Sequence, residues 1–281
     1  MTIKISLAIL LIAFAGLQLW RWLDDRRADK AWRDMARAPD TSPSRFDPSM
    51  VDRLPEPARR FFRFAIKPGA ALTTVAEIRM GGELGLGTKE EPNYMPMRAH
   101  QILTPPGGFV WKLSAGRGAM RVSGSDGFDG ARSWVRFWLL GTVPVVRAGG
   151  SADHARSAFG RLVAESVFWA PAALLPQNGV SWEAVTGDTA RATVSYQRLT
   201  QTVDVTVGDD GRPTKVVIPR WTDYNPGKTY QIQPFGGYLS EFQEFDGYRL
   251  PTRVEGGNFI DTDDYFPFYK AVVEDIRFLG A

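Results

Sequence analysis

The sequence predicts a mainly β, α+β protein. Its core is a curved antiparallel meander sheet or half-barrel of about 10–12 strands with one central helix packed on it, preceded by an N-terminal transmembrane helix. Three observations carry this expectation. Short runs alternating apolar and polar residues recur along most of the chain, the two-residue period of strands. Gly-rich turns separate these runs at short spacing, which suits hairpins rather than βαβ crossovers. Only one stretch outside the N-terminus, Ser151 to Pro176, holds helical periodicity over several turns. A sheet this long closes or curls, so the mid-chain helix is expected on its concave side.

Composition narrows the function. The chain has 281 residues, 44% of them hydrophobic, enough for a substantial core. Its net charge is +3, with cations scattered rather than interleaved with aromatics, so no nucleic-acid partner is expected. A slight basic excess suits a protein beside anionic lipid. With no cysteine, disulfides, thiolate metal sites and thiol catalysis are excluded. His100 and His154 are the two histidines, which argues against multi-histidine metal sites. Neither a metal nor another cofactor is expected.

From the N-terminus, Ile5 to Trp20 carries no charge, and Trp22 and Leu23 extend the apolar face. With Arg21 snorkelling, this is expected to be an uncleaved single-pass anchor. Ala13-Phe14-Ala15 offers a signal-peptidase site, but the apolar run continues past it. Arg21, Arg26, Arg27, Lys30 and Arg33 follow the span, which by the positive-inside rule favours a cytoplasmic domain. Asp24, Asp25 and Asp29 dilute that signal, and long domains translocate largely regardless of it. The charges thus do not decide the side, and the β domain is expected on the extracytoplasmic side only through the fold-level resemblance given below. The chain divides into an anchor with its juxtamembrane helix (1–37), a Pro/Ser/Asp-rich linker (38–53) and a single β-rich domain (54–281). No segment after residue 37 is long and apolar enough to span, so the remainder is expected to be soluble and folded on its own.

Leu54 to Ile66 reads as a short amphipathic helix with Phe61, Phe62 and Ala65 on one side and Arg59, Arg60 and Arg63 on the other. The arginines are expected to face solvent, with lipid headgroups as the alternative. Strands follow around Ala76–Met80 and Phe109–Ala115, each with one buried and one wetter face. Trp134 to Val146 is apolar on both faces and reads as one strand covered on both faces; the alternative is a lid-like or membrane-touching loop broken at Gly141 and Pro144. After the helix, strands are expected at Val180–Ala184, Ala190–Gln197, Val203–Val207, Lys215–Pro219, Tyr238–Phe245, Arg253–Phe259 and Lys270–Phe278. Gly208-Asp209-Asp210-Gly211 gives the strongest hairpin signal.

Two sets of residues are candidates for function. Thirteen aromatics fall between Trp221 and Tyr269, about twice the chain average of 12%. A concave face lined by aromatics makes an apolar groove, for which Trp221, Tyr230, Tyr238, Phe242 and Trp169 are the candidates. On the central helix, His154, Arg161 and Glu165 share a polar stripe with acid–base potential. Arg161 and Glu165 are also spaced as an i,i+4 surface ion pair, which is the expectation here. If that stripe faced the sheet, Glu165 would need a partner. No catalytic residue is assigned. Asp261, Asp263 and Asp264 lack the glycine and terminal glutamate of a calcium loop and read as a solvated turn.

LPEPARRFFRFAI after a membrane segment, ESVFWAPAALLP at Glu165–Pro176, and Trp182 with the Thr-Ala-Arg-Ala strand behind it resemble an uncharacterised bacterial family of membrane-anchored proteins. At fold level the architecture is also similar to the half-barrel lipoprotein carriers of the LolA and LolB type. The first resemblance implies no activity. The second implies an apolar or lipid-like ligand without supplying site residues. The leading expectation is thus a non-enzymatic, membrane-anchored module with such a ligand in its groove. A structural or protein-interaction module of a cell-envelope assembly is the second, and an enzyme the third.

Overall fold

A computed structural model describes residues 2–37 and 44–280. Helix α1 (Thr2–Ala36) comes first, then α2 (Glu56–Ala65) and a run of six strands: β1 (Ala76–Gly85), β2 (Tyr94–Thr104), β3 (Gly108–Ala115), β4 (Val122–Phe128), β5 (Ser133–Leu139) and β6 (Val143–Gly149). Helix α3 (Ala152–Trp169) separates these from seven more: β7 (Ser181–Ala184), β8 (Thr189–Tyr196), β9 (Leu199–Val207), β10 (Pro213–Thr222), β11 (Gln231–Phe245), β12 (Tyr248–Asn258) and β13 (Phe266–Phe278). All thirteen form one sheet, ordered β6-β5-β4-β3-β2-β1-β13-β12-β11-β10-β9-β8-β7. Each block is a meander, and antiparallel pairing of β1 with β13 joins the two. The strand count is one above the expected range.

This topology explains where α3 lies. The chain leaves the sheet at one edge, β6, and re-enters at the other, β7. Eighteen helical residues span about 27 Å, enough to cross the hollow of a curled sheet. Ser151 caps the helix by accepting a hydrogen bond from the His154 amide, and Asp153 sits in the first turn. Pro171 opens a 3-10 turn after it. Phe159, Leu162, Val163 and Trp169 are buried in one continuous core with Ile78, Phe109, Val205 and Ile218 of the sheet.

The opposite, convex face differs from expectation. Val110 was expected on the wetter side of β3, yet it is fully buried, as is Ile102 on β2. The second half of α1 covers them, packing Ala28, Ala31, Trp32 and Met35 over Ile102, Val110 and Trp134. Lys112 pairs with Asp29 at 2.6 Å, and the Trp32 indole donates to Glu77 at 2.9 Å. Asp24 is buried between Arg136 and Arg147. The first half of α1, by contrast, is exposed, and α1 as a whole is long and apolar enough to cross a membrane.

Trp134–Val146 is not one doubly covered strand. It folds into the β5–β6 hairpin, because Leu140 and Gly141 both take positive φ, 49° and 67°. β5 is largely buried, whereas β6 is the open sheet edge and is mostly exposed; its Pro144 is tolerated there. Helix α2 buries Phe61 and Phe62 against Trp182. Its arginines are engaged by protein: Arg60 bonds Glu56 and the carbonyls of Gly208 and Gly187, and Arg63 bonds Asp52. Within the predicted linker, residues 38–43 lie outside the described residues. The rest packs, with Phe46 and Val51 buried and Asp47 capping a 3-10 turn.

Candidate functional site

Strands β10 to β13 do not meet α3 everywhere. On β11 and β12 the inward-facing side chains include Leu239 and Val254, which are paired across the strands. Two residues along, the inward pair is Gly237 and Gly256. Facing glycines leave the sheet without side chains at that point. At Gly237 a Cβ would fall 1.7 Å from the Glu255 carbonyl oxygen, so only glycine fits. At Gly256 a Cβ would meet nothing nearer than 3.7 Å, because it would project into open space. That space is a cavity of about 240 Å³ between α3 and the sheet. Trp111, Phe168, Val216, Phe235, Leu239 and Phe268 contribute its apolar walls. This is slightly below the ~300 Å³ of a typical small-molecule site, so it suits one chain or ring system.

One wall is charged. Arg161 bonds Glu165 at 2.6 Å and also Asp126 on β4. Its guanidinium lies over the rings of Phe109 and Trp111, 4.7 and 5.0 Å from their centroids. Glu165 accepts a second hydrogen bond from the Gln101 amide. Burial would lower the Arg161 pKa, but Glu165 and Asp126 outweigh it and raise it further. The network is internally satisfied around the guanidinium. Tyr269, whose hydroxyl lies 2.8 Å from the Met80 sulfur, has its pKa pushed up by burial and then by Glu165.

Arg220 differs. It lines the same cavity, makes a 3.3 Å hydrogen bond to Ser157 Oγ, and lies over the Phe235 ring at 4.5 Å. Among the described residues it has no ion-pair partner. Burial, then the nearby Arg161, push its pKa down to about 10, so it stays cationic at neutral pH. Asp126 and Glu165 oppose this shift through space, but neither bonds Arg220, which is left as a half-buried cation beside an apolar cavity with no directly bonded carboxylate among the described residues.

The model of a family of unknown function, DUF6544, matches residues 44–271. The chain belongs to the DUF6544 family. No curated protein matches it. Among solved structures, the DUF6544 chain is similar to a domain from Vibrio parahaemolyticus described as a candidate outer membrane lipoprotein-sorting protein. That match has 12% identity, covers 73% of this chain and 85% of the other, and has a TM-score of 0.37. A DUF1329 family protein from Desulfovibrio piger is similar at 12% identity, 83% and 94% coverage and a TM-score of 0.36. Neither likeness bears on the ligand.

Sequence-predicted residues are scattered over the DUF6544 structure. Arg161 and Glu165 line the cavity. They are not a surface pair: their side chains are 14% and 9% exposed, because α3 is enclosed by the sheet and the segment after it. His154 is apart from them, bonding Ser133 Oγ at 2.7 Å through Nδ1 and tying the start of α3 to β5. Ser133 is buried, and burial lowers the His154 pKa. Trp221 stacks with Tyr230 and bonds Asp153, outside the cavity. Tyr238 is exposed and packs edge-on to Tyr265, Phe242 packs on Phe64 of α2, and Trp169 is buried beside Phe168. Sequence reasoning missed Arg220, Asp126, Gln101 and the glycine pair. Gly-Gly at 236–237 and again at 256–257, inside strands, was the available signal, since strand-interior glycine often marks a close approach.

Proposed function

We propose that this protein is a membrane-anchored, non-enzymatic module whose sheet cavity binds the apolar part of a lipid-like ligand. The observation that carries the reading is the pairing of an apolar cavity, opened by Gly237 and Gly256, with an Arg220 that bonds no carboxylate among the described residues. Such a site favours an amphiphile with one chain and an anionic group. Arg161 and Glu165 are committed to each other, Asp126 and Gln101, and leave that role to Arg220. The apolar half of α1 supports a single-pass anchor.

We also assign the β domain to the extracytoplasmic side. The cations after the span weigh little against this, because a long domain translocates largely regardless of flanking charge. A reporter fused to the C-terminus is expected to be active outside the cytoplasm; activity only inside would reverse the assignment.

Native mass spectrometry of the full chain, released from mild detergent, tests the ligand. The expected spectrum holds one bound amphiphile per chain. Empty protein carrying a stable protein partner would favour the interaction-module reading instead.

A further inference from the structure

Helix α1 fixes how high the sheet can stand above a membrane. Its docked half runs from Gln18, which bonds Gly141 O at 3.3 Å and Thr142 Oγ1 at 3.2 Å, to Met35, against Gly108 at the opposite end of the sheet. The Arg21 guanidinium lies across Gly141, and Trp20 meets Trp138 edge-on at 5.5 Å. The β5–β6 turn is therefore level with residues 18–21 of the helix. Beyond it, the described side chains of residues 4–16 are exposed.

The exposed, largely apolar surface of α1 continues from Ile5 to Leu23, broken by Gln18 and Arg21. About 20 helical residues rise about 30 Å, the thickness of the hydrocarbon core, so the span takes in residues up to about Leu23. The next residue, Asp24, is buried against Arg136 and Arg147, while Leu19, Trp20, Trp22 and Leu23 remain exposed and apolar. If α1 crosses the bilayer, the residues beside its positions 18–23 lie at the membrane surface or within it.

The neighbouring hairpin tips have the matching chemistry. Leu140 and Val143 at the β5–β6 turn are 58% and 51% exposed, and Met120 at the β3–β4 turn is 62% exposed. The Leu140 amide bonds the Arg121 carbonyl, which places the two tips side by side. Arg117 and Arg121 are exposed there, and among the described residues neither has an ion-pair partner. Apolar tips beside free arginines suit the boundary between acyl chains and anionic headgroups.

We propose that the β3–β4 and β5–β6 tips enter the headgroup layer beside α1, with Met120, Leu140 and Val143 in the interface and Arg117 and Arg121 on anionic lipid. The domain is then seated on the membrane rather than tethered above it. This rests on the anchor in the functional reading, but not on the cavity ligand.

The chain has no cysteine, so single substitutions can carry a polarity-sensitive fluorophore. Leu140→Cys, Met120→Cys, Phe14→Cys and Val185→Cys are labelled in the full chain and placed in phosphatidylcholine/phosphatidylglycerol nanodiscs with spin-labelled lipid. Val185 is an exposed residue following β7, the far edge strand. The expected result is blue-shifted emission and lipid quenching at positions 140, 120 and 14, with neither at 185. Quenching at 14 alone would overturn the seating and leave the anchor intact. No quenching at 14 would overturn both, and neither result would touch the cavity.

Discussion

Both faces of the sheet carry a helix, and the two helices are held by opposite chemistry. On the concave face α3 is enclosed: Phe159, Leu162 and Val163 are in the core, and even its charged pair is buried among Asp126 and Gln101. On the convex face α1 lies over a small cluster, Ile102, Val110 and Trp134, and is held by Lys112–Asp29 at its margin and by the buried Asp24 on the partly exposed Arg136 and Arg147. Charge buried with its partners contributes by not being removable. Charge at a margin contributes modestly and sets orientation. The concave contact thus serves closure of the core, and the convex contact serves placement of the sheet relative to the span.

The largest expected effect is on the concave side. Arg161→Ala leaves Asp126 and Glu165 buried without their cation, and breaking such a network costs about 3–5 kcal/mol. Leu162→Ala leaves a core void and costs about 2–5 kcal/mol. The two should therefore be comparable in chemical denaturation of the full chain in detergent. The reading of Arg161 as a surface residue predicts instead that Arg161→Ala is nearly neutral.

On the convex side the strongest contact is Asp24, which is 2% exposed. Asp24→Ala removes its charged hydrogen bonds to Arg147 and should cost about 1.5–3 kcal/mol. Lys112→Ala breaks a half-exposed pair with Asp29 and should cost less than about 1 kcal/mol. If these two variants proved more damaging than Arg161→Ala, the contrast between the faces would be wrong.

Acid should produce a smaller effect. Burial depresses the pKa of both His100 and His154 in the folded chain. An unfolded histidine titrates near about 6.5, so below that pH the unfolded state binds more protons and stability falls. The loss begins as pH drops through about 6.5 and levels off below the depressed folded values. Melting scans between pH 7.5 and 5.5 should show this fall, and His154→Gln should make it shallower.

Much of the architecture was legible because alternation and hairpin turns are local signals. β1, β3 and most strands after α3 stand where their apolar residues alternate, and Gly208-Asp209-Asp210-Gly211 makes its turn. β2 and β4 were not recognised: Tyr94–Thr104 contains proline and three polar or charged residues in its middle, and Val122–Phe128 is half serine and glycine. Their pairing comes from neighbours on both sides rather than from their own propensity. The β5–β6 turn was obscured because a mostly apolar run hid a positive-φ reversal at Leu140-Gly141. The site was harder still. Aromatic density pointed to Trp221, Tyr230, Tyr238 and Phe242, but a cavity arises where side chains are missing. Its position followed from the register that sets Gly237 opposite Gly256, across a long-range strand pair.

The central claim is that this gap between α3 and the sheet holds the apolar part of a ligand. Gly256→Leu tests it most directly, because the new side chain would occupy the cavity from a backbone position with room for a Cβ. Titration with the fluorescent fatty acid cis-parinaric acid should show saturable one-to-one binding to the wild-type chain. Gly256→Leu should abolish that binding while keeping the melting temperature. Equal binding by both proteins, or none by the wild type, would contradict the account.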